Sequence, residues 1–529
     1  MTSIHHQFIL KALTKELPST ERFLKFKKQF YSQNKLPQPT NADIRELYEE
    51  MIAQKKIKRK TSFEKSMLSR GVRTQSGVAV IAVLTKPYAC PGKCAFCPSE
   101  KNMPKSYLSN EPAVMRAIMH KFNPYNQIQS RLHALMLNGH STDKIELIVM
   151  GGTFSYFPKQ YQTWFIKECF RACNEYKRER GTKLPKTTLL QQQKRNEKTK
   201  TRIVGLTLET RPDWIDQKEI INFRRLGCTR VELGVQSIYD NVLKKNNRGH
   251  LTQATIDATK LLKNAGFKIN YHMMPGLYGS SPAKDFKMFK ELFTNPAYQP
   301  DMLKIYPTVV IKGTPLYRWW KQNKYKPLSN KVFENLVIKI KNEIIPPYIR
   351  IQRLVRDVPL PSIEAGPTIS NLRQVIAPKT HCQCIRCREI KGEYKSDSKL
   401  RLDRIDYTAS DGQEIFLQFI NSENNLHALL RLRICSDNTA MIREVHTYGK
   451  VVPIGKKDKV NDEVRENALG YKNSPQHIGL GKQLLKEAER ITKEEFGLNK
   501  ISVISGIGVR DYYRKNGYRL QNTYMTKKL

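Results

Sequence analysis

GVAVIAVLTKPYACPGKCAFCPSE, residues 77–100, runs from an apolar stretch of strand character straight into a loop with cysteines at 90, 94 and 97. Three thiolates spaced by four and three residues in one short loop can hold three corners of an iron-sulfur cube and leave the fourth iron without a protein ligand. Chemistry can happen at that open iron. A zinc knuckle short of one ligand and a purely structural thiol cluster are the competing readings, and only the surroundings of a short cysteine motif decide among them.

Those surroundings are rhythmic. From about residue 76 to 360 the apolar runs VAVIAVL, IELIVMGGT, RIVGLTLET, RVELGVQS, FKINYHMMPG and MLKIYPTVVI alternate with amphipathic stretches. Repeated strand-helix units predict a parallel sheet, here a full or partial βα barrel, whose active site gathers at the strand tips. The tips are Gly151 and Gly152, Glu209 to Arg211, Gln236 and Ser237, Pro275 and Gly276, and Lys304 and Tyr306. LLQQQKRNEKTK, between the second and third strands, breaks the rhythm and reads as an inserted helix. With Phe96 just before the last cysteine, the trio resembles the signature of radical S-adenosylmethionine (SAM) enzymes.

A second cluster lies in KTHCQCIRCREIKGEY. Cys382, Cys384 and Cys387 can supply three thiolates of a tetrahedral zinc site, with His381 or a more distant histidine as the fourth ligand; a redox role is the alternative. Beyond about residue 400 the runs EIFLQFINS, HALLRLRIC and AMIREVHTYG read as strands. A glycine turn, Gln476-x-x-Gly479-x-Gly481, then opens a helix, followed by KISVISGIG and a final helix over DYYRKNGYRL. Glycines in such a turn let a phosphate approach the backbone amides at the positive end of a helix. The turn resembles the pyrophosphate loop of GNAT acetyltransferases.

The whole chain carries 92 Lys and Arg against 48 Asp and Glu in 529 residues, a net charge of +44. Such an excess favours a polyanion through counterion release, which makes nucleic acid the leading partner class and disfavours a cationic protein tail. No apolar run approaches the roughly 18 residues needed to span a bilayer, the N-terminus lacks a secretory pattern, and six of ten cysteines sit in two tight groups. A cytoplasmic protein using thiols for metals, with no membrane partner, is expected. Cys169, Cys173, Cys228 and Cys435 are expected to be buried thiols.

The fold class expected is therefore α/β: a radical SAM partial barrel joined through a zinc-binding linker to a GNAT domain. The expected divisions are a basic helical region at 1–75 that binds nucleic acid, the radical SAM domain at 76–375, the linker at 376–398 and the acetyltransferase domain at 399–529. The polar stretch at 455–477 is expected to be an unstructured loop without a catalytic role.

This pairing, with MGGTF, LTLETRPD, VELGVQS, HMMPG, KIYPT, VRDVP, EVHTYG, VISGIG and YYRKNGYRLQ, resembles the catalytic subunit of Elongator from about residue 65 onward. The retained Cys-x-Cys-x-x-Cys is similar to archaeal and bacterial members. The resemblance implies a carboxymethyl-type modification at C5 of the tRNA wobble uridine, with a 4Fe-4S cluster, SAM, acetyl-CoA and zinc as cofactors and other Elongator-type subunits or self-association as possible partners. It implies that Cys90, Cys94 and Cys97 hold the cluster, with Gly151, Gly152, Glu209 and Gln236 contacting SAM. Lys304 and Tyr306 would stand near the domain junction. Glu444, Val445, His446 and Thr447 would line the acyl end, Gln476, Gly479, Leu480 and Gly481 would hold the pyrophosphate, Tyr512 would close over the thioester, and Lys144 would contact acetyl-CoA. A protein lysine acetyltransferase, with Glu444 or His446 as general base, and a tRNA-binding scaffold are the competing functions.

Overall fold

The computed structural model describes residues 4–15, 17, 19–68, 77–176, 187–390, 399–449 and 479–529. Gln476 and the polar stretch at 455–477 therefore lie outside the described residues. Helices Ile4–Thr14, Thr20–Gln33, Asn41–Ala53 and Thr61–Ser66 open the chain and close around their own core of Phe8, Phe23, Tyr31, Tyr48 and Phe63. Polar caps set their starts: Ser19 accepts from the Arg22 amide, and Thr40 and Asp43 form a reciprocal capping box.

Seven parallel strands follow in sequential order in one sheet: β1 (Ala79–Leu84), β2 (Lys144–Met150), β3 (Arg202–Thr210), β4 (Arg230–Gln236), β5 (Lys268–Met273), β6 (Met302–Ile305) and β7 (Arg350–Arg353). The first six are the expected ones. The seventh, RIQR, is four residues long with arginine at both ends, so no apolar run announces it. β7 does not pair with β1, and the barrel stays open on that side. The inserted helix is present as Leu189–Asn196, capped by Thr188 and Gln191.

Alternation along the strands gives the sheet two different faces. Ile145, Leu147 and Val149 of β2, Val231, Leu233 and Val235 of β4, and Ile269, Tyr271 and Met273 of β5 are buried in the main hydrophobic core. The residues between them are largely polar and line an inner cavity: Glu146, Arg230, Glu232, Gln236, Lys268, His272 and Lys304.

A second, mixed sheet occupies the C-terminal part: β8 (Arg401–Ala409), β9 (Gly412–Ile420), β10 (Leu426–Ile434), β11 (Ala440–Thr447), β12 (Lys500–Val503), β13 (Arg519–Gln521) and β14 (Tyr524–Lys528), in the order β13-β14-β12-β11-β10-β9-β8. Helix Leu480–Arg490 packs on its centre through Leu484, Leu485 and Ala488. The final helix is shorter than expected. It covers only Arg510–Arg514, because Gly517 turns the chain at φ +87° into the β13–β14 hairpin.

Two features join the sheets. One is a charge network without access to water. The Arg443 guanidinium donates to Asp301 Oδ1 (2.8 Å) and Glu414 Oε2 (2.9 Å), Arg433 to Glu414 Oε1 (3.1 Å), and Lys263 stands 3.3 Å from the same carboxylate, all at 0 or 1% exposure. The other is a backbone approach at Gly506 and Gly508, which lie on the chain of β3. A Cβ at Gly506 would overlap the Val204 carbonyl oxygen. Backbone cannot yield as a side-chain tip does, so Gly506→Ala is expected to cost about 3 kcal/mol, the upper part of the overpacking range. Urea unfolding should show this loss, and unchanged stability would mean the two sheets pack less closely at this point.

Candidate active site

One continuous cavity of about 1910 Å³ reaches from Cys90, Cys94 and Cys97, through the interior of the barrel, to Glu444, His446, Gly479, Gly481 and Tyr512. The three cysteines sit in the loop leaving β1, at the carboxyl ends of the strands. Lys144, Arg202, Arg230, Lys268 and Arg350 begin their strands and mark the other end, where the second sheet abuts.

At the cysteine end the loop is pinned from several sides. The Ala95 amide donates to the Asn246 carbonyl (2.9 Å), the Leu316 amide to the Ala95 carbonyl (2.9 Å), and Arg248 Nη1 lies 3.3 Å from Cys94 Sγ. Burial pushes the Cys97 thiol up to about 11. The three thiols do not draw together within 4.8 Å of one another, whereas those of Cys382, Cys384 and Cys387 do. The difference fits two kinds of metal group. Sulfurs around one tetrahedral ion stand only about 3.8 Å apart, given a metal-sulfur bond near 2.3 Å, while thiolates on three irons of a cube must spread wider. Cys90, Cys94 and Cys97 thus fit a 4Fe-4S cluster, and the second trio fits a single ion.

His381 does not join the second trio. It is exposed, its amide donates to Asn342 Oδ1 (2.9 Å), and its ring is not part of the cysteine group. Adjacent residues point apart, and the Cys382 side chain has taken the inward direction. The remaining four cysteines are buried, as expected.

Around the first trio, Gly152, Glu209 and Gln236 line the cavity. Gly151 lies behind them at φ +135°, where a Cβ would strike the Thr85 side chain. Gln236 holds a left-handed φ of +70°, with its Oε1 buried and unpartnered among the described residues. Glu209 accepts from the Tyr107 hydroxyl (2.8 Å) and faces Lys304 at 3.9 Å.

The middle of the barrel holds residues that the sequence reading passed over. Glu232, at 0% exposure, is ion-paired with Lys304, accepts from Asn270 Nδ2 (3.2 Å) and meets His272 Nε2 at 2.8 Å. Burial works to protonate it, but Lys304 and His272 outweigh burial and hold its carboxyl well below the usual range. Burial likewise works against the Lys304 charge, and Glu232 overcomes that and keeps it an ammonium. Tyr306 packs edge-on against His272, with ring centres 5.5 Å apart. The available signal was the alternation RVELGVQ and KINYHM. Parallel strands are usually apolar on both faces, so charged residues at every second position mark a polar bore.

At the far end, Glu444 is clamped by Lys268 Nζ (3.1 Å) and Arg431 Nε (3.0 Å). Burial would raise its pKa, but these cations pull it far down, so it is a fixed anion and a poor proton acceptor. His446 is different: burial lowers it to about 4, which leaves a neutral ring with Nε2 unpartnered among the described residues. Val445, Thr447 and Lys144 line the same space. Gly479 caps helix Leu480–Arg490 at φ +80°, and the amides of Leu480 and Gly481 are the first of that helix. The Leu480 side chain packs into the core, so only its backbone can serve a ligand. A Cβ at Gly481 would lie 3.0 Å from the Tyr512 hydroxyl, which places Tyr512 over the glycine turn.

The Radical SAM superfamily profile matches residues 85–291, and the Radical_SAM C-terminal domain profile matches residues 300–380. The tRNA uridine(34) acetyltransferase of Methanocaldococcus infernus is 45% identical over 504 residues, covering 89% of this chain and 90% of that protein. The chain belongs to the tRNA uridine(34) acetyltransferase and Elongator complex protein 3 family. Human Elongator complex protein 3 is 38% identical, with 87% of this chain and 86% of that one covered. A solved structure of the archaeal Methanocaldococcus infernus Elp3 with an N-terminal deletion superposes with a TM-score of 0.71 at 42% identity, covering 86% of this chain and 99% of that one. No helix among the described residues is long and apolar enough to cross a membrane.

The His446 reading has a pH signature. The ordinary histidine value is 6.5 and the folded value about 4, so the unfolded chain takes up the proton first. Stability from this residue is complete above pH 6.5 and drains away as the pH falls toward 4. His446→Asn is expected to lose less stability than the parent between pH 6.5 and 4.5 in chemical unfolding; parallel profiles would contradict the assignment. For the second trio, the parent chain should retain one tightly bound metal ion other than iron by elemental analysis, and Cys384→Ala should lose it. Equal metal in both would rule that site out.

Proposed function

We propose that this protein modifies the wobble uridine of tRNA at C5, adding a carboxymethyl-type group whose two carbons come from acetyl-CoA. The reading is carried by the single cavity that contains both the cysteine trio and the Gly479–Gly481 turn. Membership of a family whose relatives are named tRNA uridine(34) acetyltransferases supports it, and so does the charge of +44.

When bound, the cluster and SAM supply a 5′-deoxyadenosyl radical that can take hydrogen from an acetyl methyl group. Cys90, Cys94 and Cys97 would hold the cluster, and the Arg248 guanidinium beside Cys94 would favour its negative charge. Gly152 leaves room for backbone approach, with Gly151 packed on Thr85 behind it to hold the turn, while Glu209 and Gln236 offer a carboxylate and an amide oxygen to the polar parts of SAM. Lys304 and Tyr306 face the middle of the bore, where an ammonium can hold a carbonyl oxygen and a phenol can donate to one. The mixed sheet with its Gly479–Gly481 helix start supports a GNAT reading of the C-terminal domain. There the amides of Leu480 and Gly481 would receive the pyrophosphate, and Tyr512 would cover it. Neutral His446 can take a proton from water as its oxygen bonds to the thioester carbon and pass it to the coenzyme A sulfur as the carbon–sulfur bond breaks, leaving a carboxylate, with Glu444 holding the surrounding cations in place. Cys382, Cys384 and Cys387 would bind zinc as a clamp between the two sheets. Exposed lysines of the N-terminal helices would meet the tRNA backbone.

Protein lysine acetylation fits less well. The acyl end opens into the barrel bore, and of the two candidate bases Glu444 is too strongly paired, which leaves only His446.

Cys94→Ser is expected to keep affinity for tRNA and acetyl-CoA while losing SAM cleavage and uridine modification. The check is anaerobic incubation of the reconstituted protein with SAM, acetyl-CoA and tRNA, followed by nucleoside mass spectrometry. Undiminished modification by the variant would sink the radical mechanism.

A further inference from the structure

Between the two ends of the cavity lies a side chain whose environment is incomplete. Arg230 opens β4, is 3% exposed and lines the bore. Its Nη1 is ion-paired with Glu146 of β2, and its Nε stands 3.8 Å from Glu232 Oε1, too far for a hydrogen bond. Nε and Nη2 both lack a hydrogen-bond partner among the described residues. A buried donor left unmade is costly, and a guanidinium presents its donors in a rigid fork. Two nitrogens of that fork are buried without a partner in a residue that lines the polar cavity.

The space is built rather than accidental. On β3, Gly205 pairs with Glu146 and Thr207 with Arg230; Gly205 lines the cavity without a side chain, and a Cβ there would come within 3.7 Å of Glu146 Cγ. Arg230 is also well placed along the bore. Its register partner on β5 is Lys268, the residue that holds Glu444 at the acyl end, and two positions further along β4 Glu232 carries Lys304.

The occupant is defined by charge and size. Open N–H groups call for an acceptor oxygen. Glu146 and Glu232 nearby repel a multiply charged phosphate, and the Gly479–Gly481 turn already provides for phosphates outside the barrel. A neutral carbonyl or a singly charged carboxylate remains. We propose that Arg230 binds the oxygen of the two-carbon acyl unit inside the barrel, between the acyl end and Lys304. The inference rests on acetyl-CoA being the carbon donor. The oxygen belongs either to the thioester carbonyl, with the pantetheine arm reaching into the bore, or to free acetate released at His446.

The test uses the full-length protein as purified, without tRNA. Binding of coenzyme A and of acetonyl-CoA, the ketone analogue that cannot be hydrolysed, is measured by calorimetry. Binding of 13C-acetate is followed by NMR line broadening. The proteins are the parent, Arg230→Gln, and Glu146→Gln/Arg230→Gln, which removes the stranded carboxylate as well and guards against a folding defect. Coenzyme A lacks the acyl oxygen and should bind all three alike. Acetonyl-CoA affinity at least tenfold weaker in both variants supports the site with the threaded arm as its source. Acetate broadening lost in both variants supports it with free carboxylate as the source. If both probes bind the variants as they bind the parent, or if coenzyme A weakens in step with acetonyl-CoA, the assignment to Arg230 is overturned. A parent protein that binds neither coenzyme A nor acetonyl-CoA overturns the acetyl-CoA reading itself, and this inference falls with it.

Discussion

Asp301 and Glu414 are two carboxylates without access to water, one from the barrel and one from the second sheet, and four cations close around them. Arg443 bridges both, Arg433 and Lys263 hold Glu414, and Arg431 leans toward Asp301 at 3.7 Å while gripping Glu444. A buried ion pair is weak support for stability, because desolvation cancels much of its attraction, yet breaking one is severe. Its value here is positional. Charges that find partners only in one arrangement fix how the sheets meet, and the Gly506–Val204 approach fixes it again through backbone. The acyl end of the second sheet is thereby held against the starts of the barrel strands.

From that joint a line of alternating charge runs along the bore: Lys268 with Glu444, Arg230 with Glu146, Lys304 with Glu232, then Glu209 with Tyr107 beside the cysteine loop. Glu232 and Glu444 are kept anionic despite burial, Lys304 stays cationic, and His446 is neutral. A dry apolar bore would have packed shut.

Much of this was legible in the sequence because it was carried by local pattern. Cysteine spacing marked both thiol clusters, six apolar runs marked six strands, and the Gly479–Gly481 turn marked a helix start. What escaped was set by tertiary context. β7 is visible only because β6 pairs with it. The β13–β14 hairpin hid inside a helix-like run until Gly517 turned the chain. His381 stood beside Cys382 in sequence, but neighbours in a chain seldom face one ion. The bore residues were in plain view as every second position of RVELGVQ, yet their meaning depended on knowing that both faces of the sheet are enclosed.

The barrel is never zipped. A closed eight-stranded barrel fills its interior with layers of side chains, but here no strand among the described residues bridges β7 to β1, and Val80, on the bore face of the edge strand, remains 46% exposed. Under the proposed function, the gap gives a substrate a side entrance to the bore. The same gap is also a leak, since water enters wherever a substrate can. Such a protein has to balance retention against escape, and the yield per turnover then depends on how quickly the opening is plugged.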